Sequence, residues 1–324
     1  MRAIMCREHG DLSVLRLEEV PDPVPAPGQA LVRIRACGIN FADSIMTAGK
    51  YQNQPALPFI PGSEIAGEVI ALGRDTAGVT VGDRVMGLPG RGGYAELAAV
   101  DAGRLTRLPD SLGYEQAASF AVTYGTSHVA LAHRARLKPG ETLLVHGAAG
   151  GVGLTAVELG RIMGARIIAT AGGPDKLEIA RAAGAHETVD YLAEDIRERV
   201  KALTGGRGAD VVYDPVGGDV FDASLRCVAF EGRILVIGFA GGRVPQIPAN
   251  HVMVKNVDII GVNRPAYDAL APEVSRRSQE ELLGWLAEGR ISPLVSKTFP
   301  LERAVEGLES VVTRRSTGKV VIVP

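Results

Sequence analysis

The sequence contains little cysteine and a single tryptophan. The three cysteines, Cys6, Cys37 and Cys227, are odd in number and far apart, so they fit reduced thiols better than a secreted disulfide framework. This usage indicates a cytoplasmic protein. The tryptophan, Trp285, lies on an apolar helical face, and we expect it in the core rather than in a binding site.

The sequence also has no long apolar run and no large excess of either charge. No uninterrupted apolar stretch reaches the roughly 18 residues that a membrane-spanning helix needs, and charged residues occur within the first eight positions. The formal net charge is -2, and the lysines and arginines are scattered. We therefore expect neither a membrane nor a nucleic acid as a partner.

Several catalytic and metal-binding patterns are missing as well. There is no C-x-x-C pair, which argues against a structural zinc site, and the six histidines form no H-E-x-x-H spacing, which argues against a catalytic one. The G-x-S-x-G turn of serine hydrolases is also absent. These absences direct attention to chemistry that needs neither a metal nor a nucleophilic serine.

The length and patterning that are present indicate two domains. A chain of 324 residues exceeds what one hydrophobic core usually organises. Up to about residue 108, short alternating apolar runs separated by proline and glycine predict an antiparallel β domain. From near residue 119, apolar runs alternate with helical patterns, which predicts βαβ units and a parallel sheet.

The second region contains six predicted strands of a doubly wound sheet. They cover residues 142–147, 166–171, 186–191, 210–216, 233–239 and 257–262. Between the second and third strands we predict a helix that starts at Pro174 and stops at Gly184. Two amphipathic helices follow residue 265, and the closing "KVVIVP" is predicted to be a strand.

A glycine-rich turn follows the first of these strands. Gly151-Val-Gly153-Leu-Thr-Ala156 lies between an apolar strand and a helix, the context that a dinucleotide-binding fingerprint requires. Glycine lets backbone amides approach a pyrophosphate, whose charge rests on the helix N-terminus. Gly150, Gly151 and Gly153 are therefore candidate cofactor residues. The alternative is a turn that merely joins strand to helix.

The end of the second strand bears on the choice of nicotinamide cofactor. An acidic residue for the ribose hydroxyls is expected there, but the sequence has Thr170-Ala171-Gly172-Gly173. Lys176 follows in the first helical turn and could pair with a 2′-phosphate, which favours NADPH over NADH. In the alternative interpretation Lys176 is only a solvated helix residue, and Asp175 serves NADH.

Taken together, these segments resemble the medium-chain dehydrogenase/reductase superfamily, and within it the zinc-free NADPH:quinone oxidoreductase (ζ-crystallin-like) branch. The likeness spans essentially the whole chain and includes "GINFADSIMTAGKY", "PGSEIAGEVIALG", "VGDRVMG", "GETLLVHGAAGGVGLTAVELGR" and "TGKVVIVP". Glu158 stands where the family pattern usually has glutamine, a change that we do not expect to affect cofactor choice. A short-chain dehydrogenase is excluded because no Tyr-x-x-x-Lys pair occurs and the glycine motif is not N-terminal.

The resemblance implies an α/β fold of two domains. A GroES-like antiparallel β domain would comprise residues 1–118 and 263–324 and carry the substrate site, and a Rossmann NADP(H)-binding domain with a doubly wound parallel sheet would comprise residues 119–262. The nicotinamide and the substrate would meet in a cleft. Similar enzymes are commonly homodimers that join their Rossmann sheets edge to edge.

The resemblance also bears on the metal. Zinc alcohol dehydrogenases of the superfamily use a cysteine in a Cys-Gly segment, a histidine in a Gly-His-Glu segment and a later cysteine. Cys37-Gly38 matches the first, but Ser63 replaces the histidine and the only later cysteine, Cys227, lies in the Rossmann half. We therefore expect no metal.

The resemblance implies four catalytic candidates. Asn40, Asp43 and Tyr51 match positions that line the substrate cleft in similar reductases, and a tyrosine matching Tyr51 is the proposed proton donor in related enoyl-thioester reductases. Arg264 is similar to a cleft arginine whose charge would polarise a quinone carbonyl. Each residue also has an alternative interpretation without a catalytic role. Asn40 and Asp43 would then form only turn hydrogen bonds, Tyr51 would be a core aromatic, and Arg264 would make an interdomain salt bridge.

The predicted cofactor residues combine the glycine motif with positions matched to the family. They are Asn40, Thr123, Ala149, Gly150, Gly151, Val152, Gly153, Gly172, Lys176, Tyr191, Gly238 and Phe239.

The resulting functional prediction is an NADPH-dependent quinone reductase that passes hydride directly to its acceptor without a flavin. Hydride transfer asks the protein mainly to place the acceptor and to stabilise the oxyanion that develops on it. A reductase of α,β-unsaturated carbonyls, including enoyl thioesters such as acyl-CoA, needs the same geometry and stays an alternative. A third hypothesis is a nucleotide-binding protein with little turnover.

Overall fold

The computed structural model describes all 324 residues, which divide into two compact units. The first unit comprises Met1–Val122 and Pro293–Pro324, and the second comprises Thr123–Ser292. None of the helices is long and apolar enough to span a membrane.

Strands occur in both units and are numbered in chain order. They are β1 (Arg2–Cys6), β2 (Leu15–Glu19), β3 (Gln29–Gly38), β4 (Glu64–Leu72), β5 (Arg84–Gly87), β6 (Leu97–Asp101), β7 (Leu105–Arg107), β8 (Thr142–Val145), β9 (Arg166–Ala171), β10 (Glu187–Asp190), β11 (Ala209–Asp214), β12 (Val228–Val236), β13 (Asp258–Gly261), β14 (Val295–Pro300) and β15 (Lys319–Val323).

The α-helices are numbered in the same way. They are α1 (Phe41–Thr47), α2 (Tyr114–Ala117), α3 (Ala121–His128), α4 (Gly151–Ile162), α5 (Pro174–Ala182), α6 (Ile196–Leu203), α7 (Gly218–Cys227), α8 (Ala249–Lys255), α9 (Arg264–Leu270), α10 (Pro272–Ala287) and α11 (Ala304–Val312). Short 3-10 turns cover Leu12–Val14, Ala102–Arg104 and Leu301–Arg303, and a π-helical segment, Val129–Ala135, follows α3.

The first unit is built on a seven-stranded sheet. Its order is β14-β15-β3-β4-β5-β7, and β6 also pairs with β3; every pairing is antiparallel except that of β14 with β15. Strand β3 shows how the sequence dictates this arrangement, because Ala30, Val32 and Ile34 are buried while Arg33 and Arg35 are exposed. That alternation puts one face of the strand against the core.

The second unit contains a six-stranded sheet in which every strand is parallel. Its order is β10-β9-β8-β11-β12-β13, the arrangement of a doubly wound dinucleotide-binding fold. All four residues of β8 are buried, as expected for a central parallel strand covered by helices on both faces. The predicted α/β fold, with a GroES-like antiparallel unit and a Rossmann unit, is confirmed.

The predicted helices are present, and α5 has the expected boundaries. Pro174 opens α5 in its first turn, and Gly184 follows the helix with a φ of +113° that favours glycine. Helices α10 and α11 and strand β15 correspond to the three C-terminal elements read from the sequence.

The chain returns to the first unit later than predicted, at residues 292/293 instead of 262/263. Residues 263–292 belong to the second unit rather than to the GroES-like one. The physical reason is aromatic packing: the Trp285 ring lies 5.4 Å from the His128 ring and the Tyr267 ring 5.5 Å from the His133 ring, both in edge contacts. These contacts fasten α9 and α10 to α3 and its π-helical extension. The first division falls at 122/123, close to the expected 118/119.

Candidate active site

A buried polar cluster occupies the first unit where three chain segments meet. Gly38, at the end of β3, pairs with Glu64 of β4 and with Val321 of β15. This register brings Asn40, two residues beyond the end of β3, beside the first residues of the two neighbouring strands, Glu64 and Lys319. We call Asn40, Glu64 and Lys319 the Asn40 cluster.

The Lys319 ammonium is buried and fully engaged. The residue is 5% exposed, and its Nζ donates to the Ile39 carbonyl and to Asn40 Oδ1, each at 2.9 Å. The third hydrogen bond, 2.6 Å long, goes to Glu64 Oε1 and forms an ion pair. A buried ammonium is tolerated only when a counter-charge and hydrogen bonds replace water, and here both do so.

The Asn40 carboxamide lies between the two charges. Its Nδ2 donates to Glu64 Oε1 at 2.9 Å and to the Gly38 carbonyl at 3.3 Å. The second carboxylate oxygen of Glu64 accepts from the Val122 amide at 2.9 Å. Close packing leaves no space beside this group, since a Cβ added at Gly38 would lie 2.5 Å from Glu64 Oε1.

Asp43 lies beside the cluster and is completely buried. Its Oδ2 accepts from the Asn40 backbone amide at 2.8 Å and from the Tyr94 hydroxyl at 2.9 Å, whereas Oδ1 has no partner. Burial raises the pKa of this carboxyl from 3.8 to about 6. Asp43 therefore holds the start of α1 through the Asn40 amide, as in the turn alternative read from the sequence.

Tyr51 and Cys37 complete this region of the first unit. Tyr51 is half-buried and packs against the core, and burial together with the Asp43 charge raises its pKa. Cys37 is fully buried, and burial raises the pKa of its thiol well above 9.0. No group of three or more histidines, cysteines, aspartates and glutamates is arranged to hold a metal ion.

The glycine-rich turn opens α4 in the second unit. Gly150 is the N-cap residue of α4 and has no side chain that could cap the helix. The first backbone amides of α4 therefore receive no hydrogen bond acceptor from an N-cap side chain. A Cβ added at Gly153 would lie 2.2 Å from the Gly147 carbonyl oxygen, which explains why this position must be glycine. The turn and the dipole of the twelve-residue helix suit an anionic group such as a pyrophosphate.

Other predicted cofactor residues cluster around this turn. The Thr155 hydroxyl donates to the Thr123 carbonyl at 3.2 Å, and Ala149 is buried in the turn itself. At the ends of the neighbouring strands, a Cβ added at Gly217 would meet the Phe239 ring at 3.1 Å, which places Phe239 and Gly238 beside the loop after β11. These loops follow β8, β11 and β12, whose parallel carboxyl ends lie at one edge of the sheet.

A second group of cofactor candidates lies at the end of β9. Tyr191 packs against Gly172, where an added Cβ would lie 2.8 Å from the tyrosine hydroxyl. The next residue, Gly173, has a φ of +87° and donates its amide to Asp190 at 3.1 Å. Lys176 is half-buried in the first turn of α5.

Arg264 is the first residue of α9 and is largely buried, with 11% of its side chain exposed. Its Nη1 pairs with Asp268 at 2.5 Å within the same helix, so this contact is not the interdomain salt bridge of the alternative interpretation. Its Nε has no partner and lies 3.4 Å from a Cβ built on Gly125. The guanidinium therefore keeps donor capacity.

Three residues of this region were not predicted from the sequence: Glu64, Tyr94 and Lys319. The signal was a charged residue at the start of a largely apolar strand, since Glu64 opens "EIAGEVIAL" and Lys319 opens "KVVIV". Isolated charges beside buried strands need partners. The identity of those partners required the sheet register.

Family models match both units. The model described as "Alcohol dehydrogenase GroES-like domain" matches residues 26–110, and "Zinc-binding dehydrogenase" matches residues 151–280. Among curated proteins, the quinone oxidoreductase-like protein 2 homolog of Nematostella vectensis is 42% identical over 324 residues, covering 99% of this chain and 88% of the relative.

Solved structures agree with this result. A mycobacterial protein, Rv1454c, complexed with NADPH has a TM-score of 0.94 and 33% identity, and the Escherichia coli quinone oxidoreductase complexed with NADPH has a TM-score of 0.93 and 31% identity. Each match covers 100% of both chains. The chain belongs to the medium-chain dehydrogenase/reductase superfamily and, within it, to the quinone oxidoreductase family of enzymes.

Proposed function

We propose that this protein is a zinc-independent, NADPH-dependent quinone oxidoreductase that transfers hydride directly to its acceptor without a flavin. The observation that carries the proposal is the uncapped glycine turn at the start of α4, which suits a pyrophosphate. The two similar structures that contain NADPH support the choice of cofactor.

The cofactor would be held mainly by the second unit. Backbone amides of Gly150, Gly151, Val152 and Gly153 would bind the pyrophosphate. Lys176 would pair with the 2′-phosphate, and NADPH supplies the hydride when it is bound. The remaining contacts would come from Gly172 and Tyr191 on the adenosine side and from Asn40, Thr123, Ala149, Gly238 and Phe239 on the nicotinamide side.

Two side chains are proposed to act on the acceptor. The half-buried Tyr51 hydroxyl would donate a hydrogen bond or a proton to the oxygen that gains charge during reduction. Arg264, whose Nε has no protein partner, would polarise that oxygen. Asp43 is completely enclosed, so we assign it a role in positioning α1 rather than in contact with the acceptor.

Zinc independence is supported by the residues at the positions that hold zinc in the metal-dependent relatives. Cys37 is present, but Ser63 replaces a histidine ligand, and the only later cysteine, Cys227, lies in the second unit. We expect metal analysis of the purified protein to find well below one zinc per chain. One tightly held zinc per chain would contradict this part of the proposal.

The proposed activity is tested by following the loss of NADPH absorbance with 1,4-benzoquinone, an enone and crotonyl-CoA under identical conditions. We expect the quinone to be reduced fastest. Faster reduction of the enone or of crotonyl-CoA would favour a reductase of α,β-unsaturated carbonyls, and tight NADPH binding without oxidation would favour a binding protein.

Tyr51→Phe and Arg264→Ala should both lower kcat about tenfold or more, because each removes a group that would stabilise the developing oxyanion. Wild-type turnover in both variants would mean that the acceptor site is misplaced.

A further inference from the structure

A chain of buried hydroxyl groups in the second unit leads to the first turn of α4. Ser127 of α3 and Tyr213 of β11 are both 0% exposed, and their side-chain oxygens lie 2.8 Å apart. The Ser127 hydroxyl also lies 2.9 Å from the carbonyl oxygen of Val152, within the glycine-rich turn. The proposed function uses the backbone of this turn but gives the two side chains no role.

The hydrogens of this hydroxyl chain point toward Val152. Ser127 is the hydrogen-bond partner of the Tyr213 hydroxyl, and burial raises the pKa of that hydroxyl, so it keeps its proton. A buried O–H without an acceptor is unfavourable, so Tyr213 donates and Ser127 accepts. Ser127 then gives its own hydrogen to the Val152 carbonyl, a group that can only accept.

Thr155 joins the hydroxyl chain from α4 itself. Its hydroxyl lies 2.8 Å from the Ser127 hydroxyl. Its hydrogen is shared between the Thr123 carbonyl at 3.2 Å and the Val152 carbonyl at 3.0 Å. The hydrogen bonds that pass through Thr155 therefore also reach the carbonyl of Val152.

The Val152 carbonyl and the Gly153 amide are the two ends of one peptide group. Resonance links them, so a hydrogen bond accepted by the oxygen makes the N–H a stronger donor. The first helical hydrogen bond of α4 runs from the Leu154 amide to the Gly150 carbonyl at 2.8 Å, and the Gly153 N–H makes none within the protein. Gly153 is buried, and buried amides are nearly always paired, so a ligand oxygen would complete this one.

We propose that Ser127 and Tyr213 are positioning residues that hold and polarise the Val152–Gly153 peptide group, so that its N–H binds an anionic oxygen of the cofactor pyrophosphate more tightly. All of these groups belong to the second unit. The inference rests on the proposed function, which places the pyrophosphate at this turn. It adds two side chains that raise the affinity for the cofactor without touching it.

Isotope labelling isolates this peptide group from the rest of the chain. Only three glycines follow a valine in the sequence: Gly82, Gly153 and Gly217. Protein labelled with carbonyl-13C valine and 15N glycine therefore gives three coupled NMR signals, and Val152→Ile removes the one that belongs to Gly153. The Gly82 N–H donates to the Val69 carbonyl at 2.8 Å in the first unit and serves as the internal reference.

Tyr213→Phe removes one hydroxyl and keeps the aromatic ring. In the ligand-free protein we expect the Gly153 amide proton and the Val152 carbonyl carbon to move upfield, because both lose hydrogen-bond polarisation, while Gly82 keeps its shift. Ser127→Ala, which removes the direct donor, should move them further. The Kd for NADPH should rise about threefold in the first variant and about tenfold in the second, with kcat at saturating NADPH unchanged.

Thr47→Val is the matched control, because it also removes a fully buried hydroxyl that donates to a helix carbonyl, that of Asp43 at 2.9 Å, but in the first unit. It should lower Tm and leave the Kd for NADPH at the wild-type value. An equal rise of Kd in the control and in Tyr213→Phe would overturn the inference, because general destabilisation would explain both.

The two readouts separate the inference from the proposed function. NADPH binding with unchanged Val152 and Gly153 shifts in both variants would overturn the inference alone, as would shifts that move without any rise in Kd. Shifts that move as expected in a protein that binds no NADPH would instead overturn the proposed function.

Discussion

The carboxyl of Asp43 binds its proton more tightly in the folded protein than in the unfolded chain, because burial raises its pKa from 3.8 to about 6. A raised pKa means that the folded state gains stability as the proton binds. The contribution of Asp43 to folding is therefore fully present below pH 3.8 and is lost as the pH rises through about 6. The unpartnered Oδ1 can carry the proton without displacing the bonds to Oδ2.

Asp43→Asn should reveal this dependence, since asparagine has almost the same shape and does not titrate. The free energy of unfolding of wild type minus that of the variant should fall by about 2 kcal/mol between pH 4 and pH 7. Urea denaturation of both proteins across this range measures the difference, in which the other titrating groups cancel. A difference independent of pH would show that the pKa of Asp43 is the same in the folded and the unfolded state.

Lys176 offers a prediction about cofactor choice. If its ammonium pairs with the 2′-phosphate of NADPH, Lys176→Ala should raise the KM for NADPH about tenfold and leave that for NADH unchanged, because about 1.4 kcal/mol is one decade of affinity. Arg181→Ala removes a positive charge from the same helix, α5, and is the matched control. Equal KM values for NADPH in wild type and Lys176→Ala would remove Lys176 from the phosphate site.

At the scale of single residues, the sequence predicts functional positions only where a local motif identifies them. Gly153 was predicted because strand, turn and helix follow one another in the chain, and the 2.2 Å approach to Gly147 supplies its physical reason. Lys319 was not predicted, because its partner Glu64 lies 255 positions away in sequence. Only the pairing of β3 with β4 and β15 makes them neighbours.

At the scale of secondary-structure elements, the start of α4 must pack tightly against the preceding turn. Gly153→Ala would place a methyl group 2.2 Å from the Gly147 carbonyl, a backbone atom that cannot move away cheaply. We expect a loss of about 1–3 kcal/mol in the free energy of unfolding. We also expect weaker NADPH binding, measured by cofactor fluorescence, because the turn that holds the pyrophosphate would be displaced.

Gly284 provides the matched control for this prediction. It lies inside α10, is exposed, and a Cβ added there meets nothing within 4 Å. Gly284→Ala should therefore stabilise the protein by about 0.5–1 kcal/mol through better helix propensity and leave NADPH binding unchanged. If Gly153→Ala behaves like Gly284→Ala in both assays, the close packing inferred at α4 is wrong.

Most elements were predictable because their hydrophobic period is strong, but their boundaries were less so. Strand β12 was expected over 233–239 and is observed over Val228–Val236. Glu231 and Gly232 resemble a turn in the sequence, and Glu231 does adopt a φ of +56°. The strand nevertheless continues through them because Val228 and Ala229 are buried on its far side.

At the scale of the whole molecule, the parallel sheet of the second unit has two free edges, β10 and β13. We propose that the protein is a homodimer whose Rossmann sheets join edge to edge, as the family resemblance implies, and that β13 is the joining edge. Light scattering should then give about twice the chain mass of 34.0 kDa. Amides of β13 should exchange more slowly as protein concentration rises, while those of β10 should not. Monomer mass, or concentration-dependent protection of β10 alone, would contradict this arrangement.

Two domains were predictable from composition, because the change from alternating to continuous apolar runs marks the change from antiparallel to parallel sheet. The division near residue 292 was not predictable. The contacts of Trp285 with His128 and of Tyr267 with His133 join helices that are more than 130 residues apart in sequence. A sequence shows that such aromatic residues are apolar but not which surface they cover.

The discontinuity of the first unit has a consequence for how the chain folds as it is synthesised. Residues 293–324 leave the ribosome only after the whole of the second unit, so the second unit can fold while the first still lacks β14 and β15. Until then the Glu64 carboxylate has no ammonium partner, and the edge of β3 that β15 later covers remains open. Closure across some 280 residues is a slow, late step. A nascent chain halted just before β15 should therefore be the form that chaperones bind most strongly.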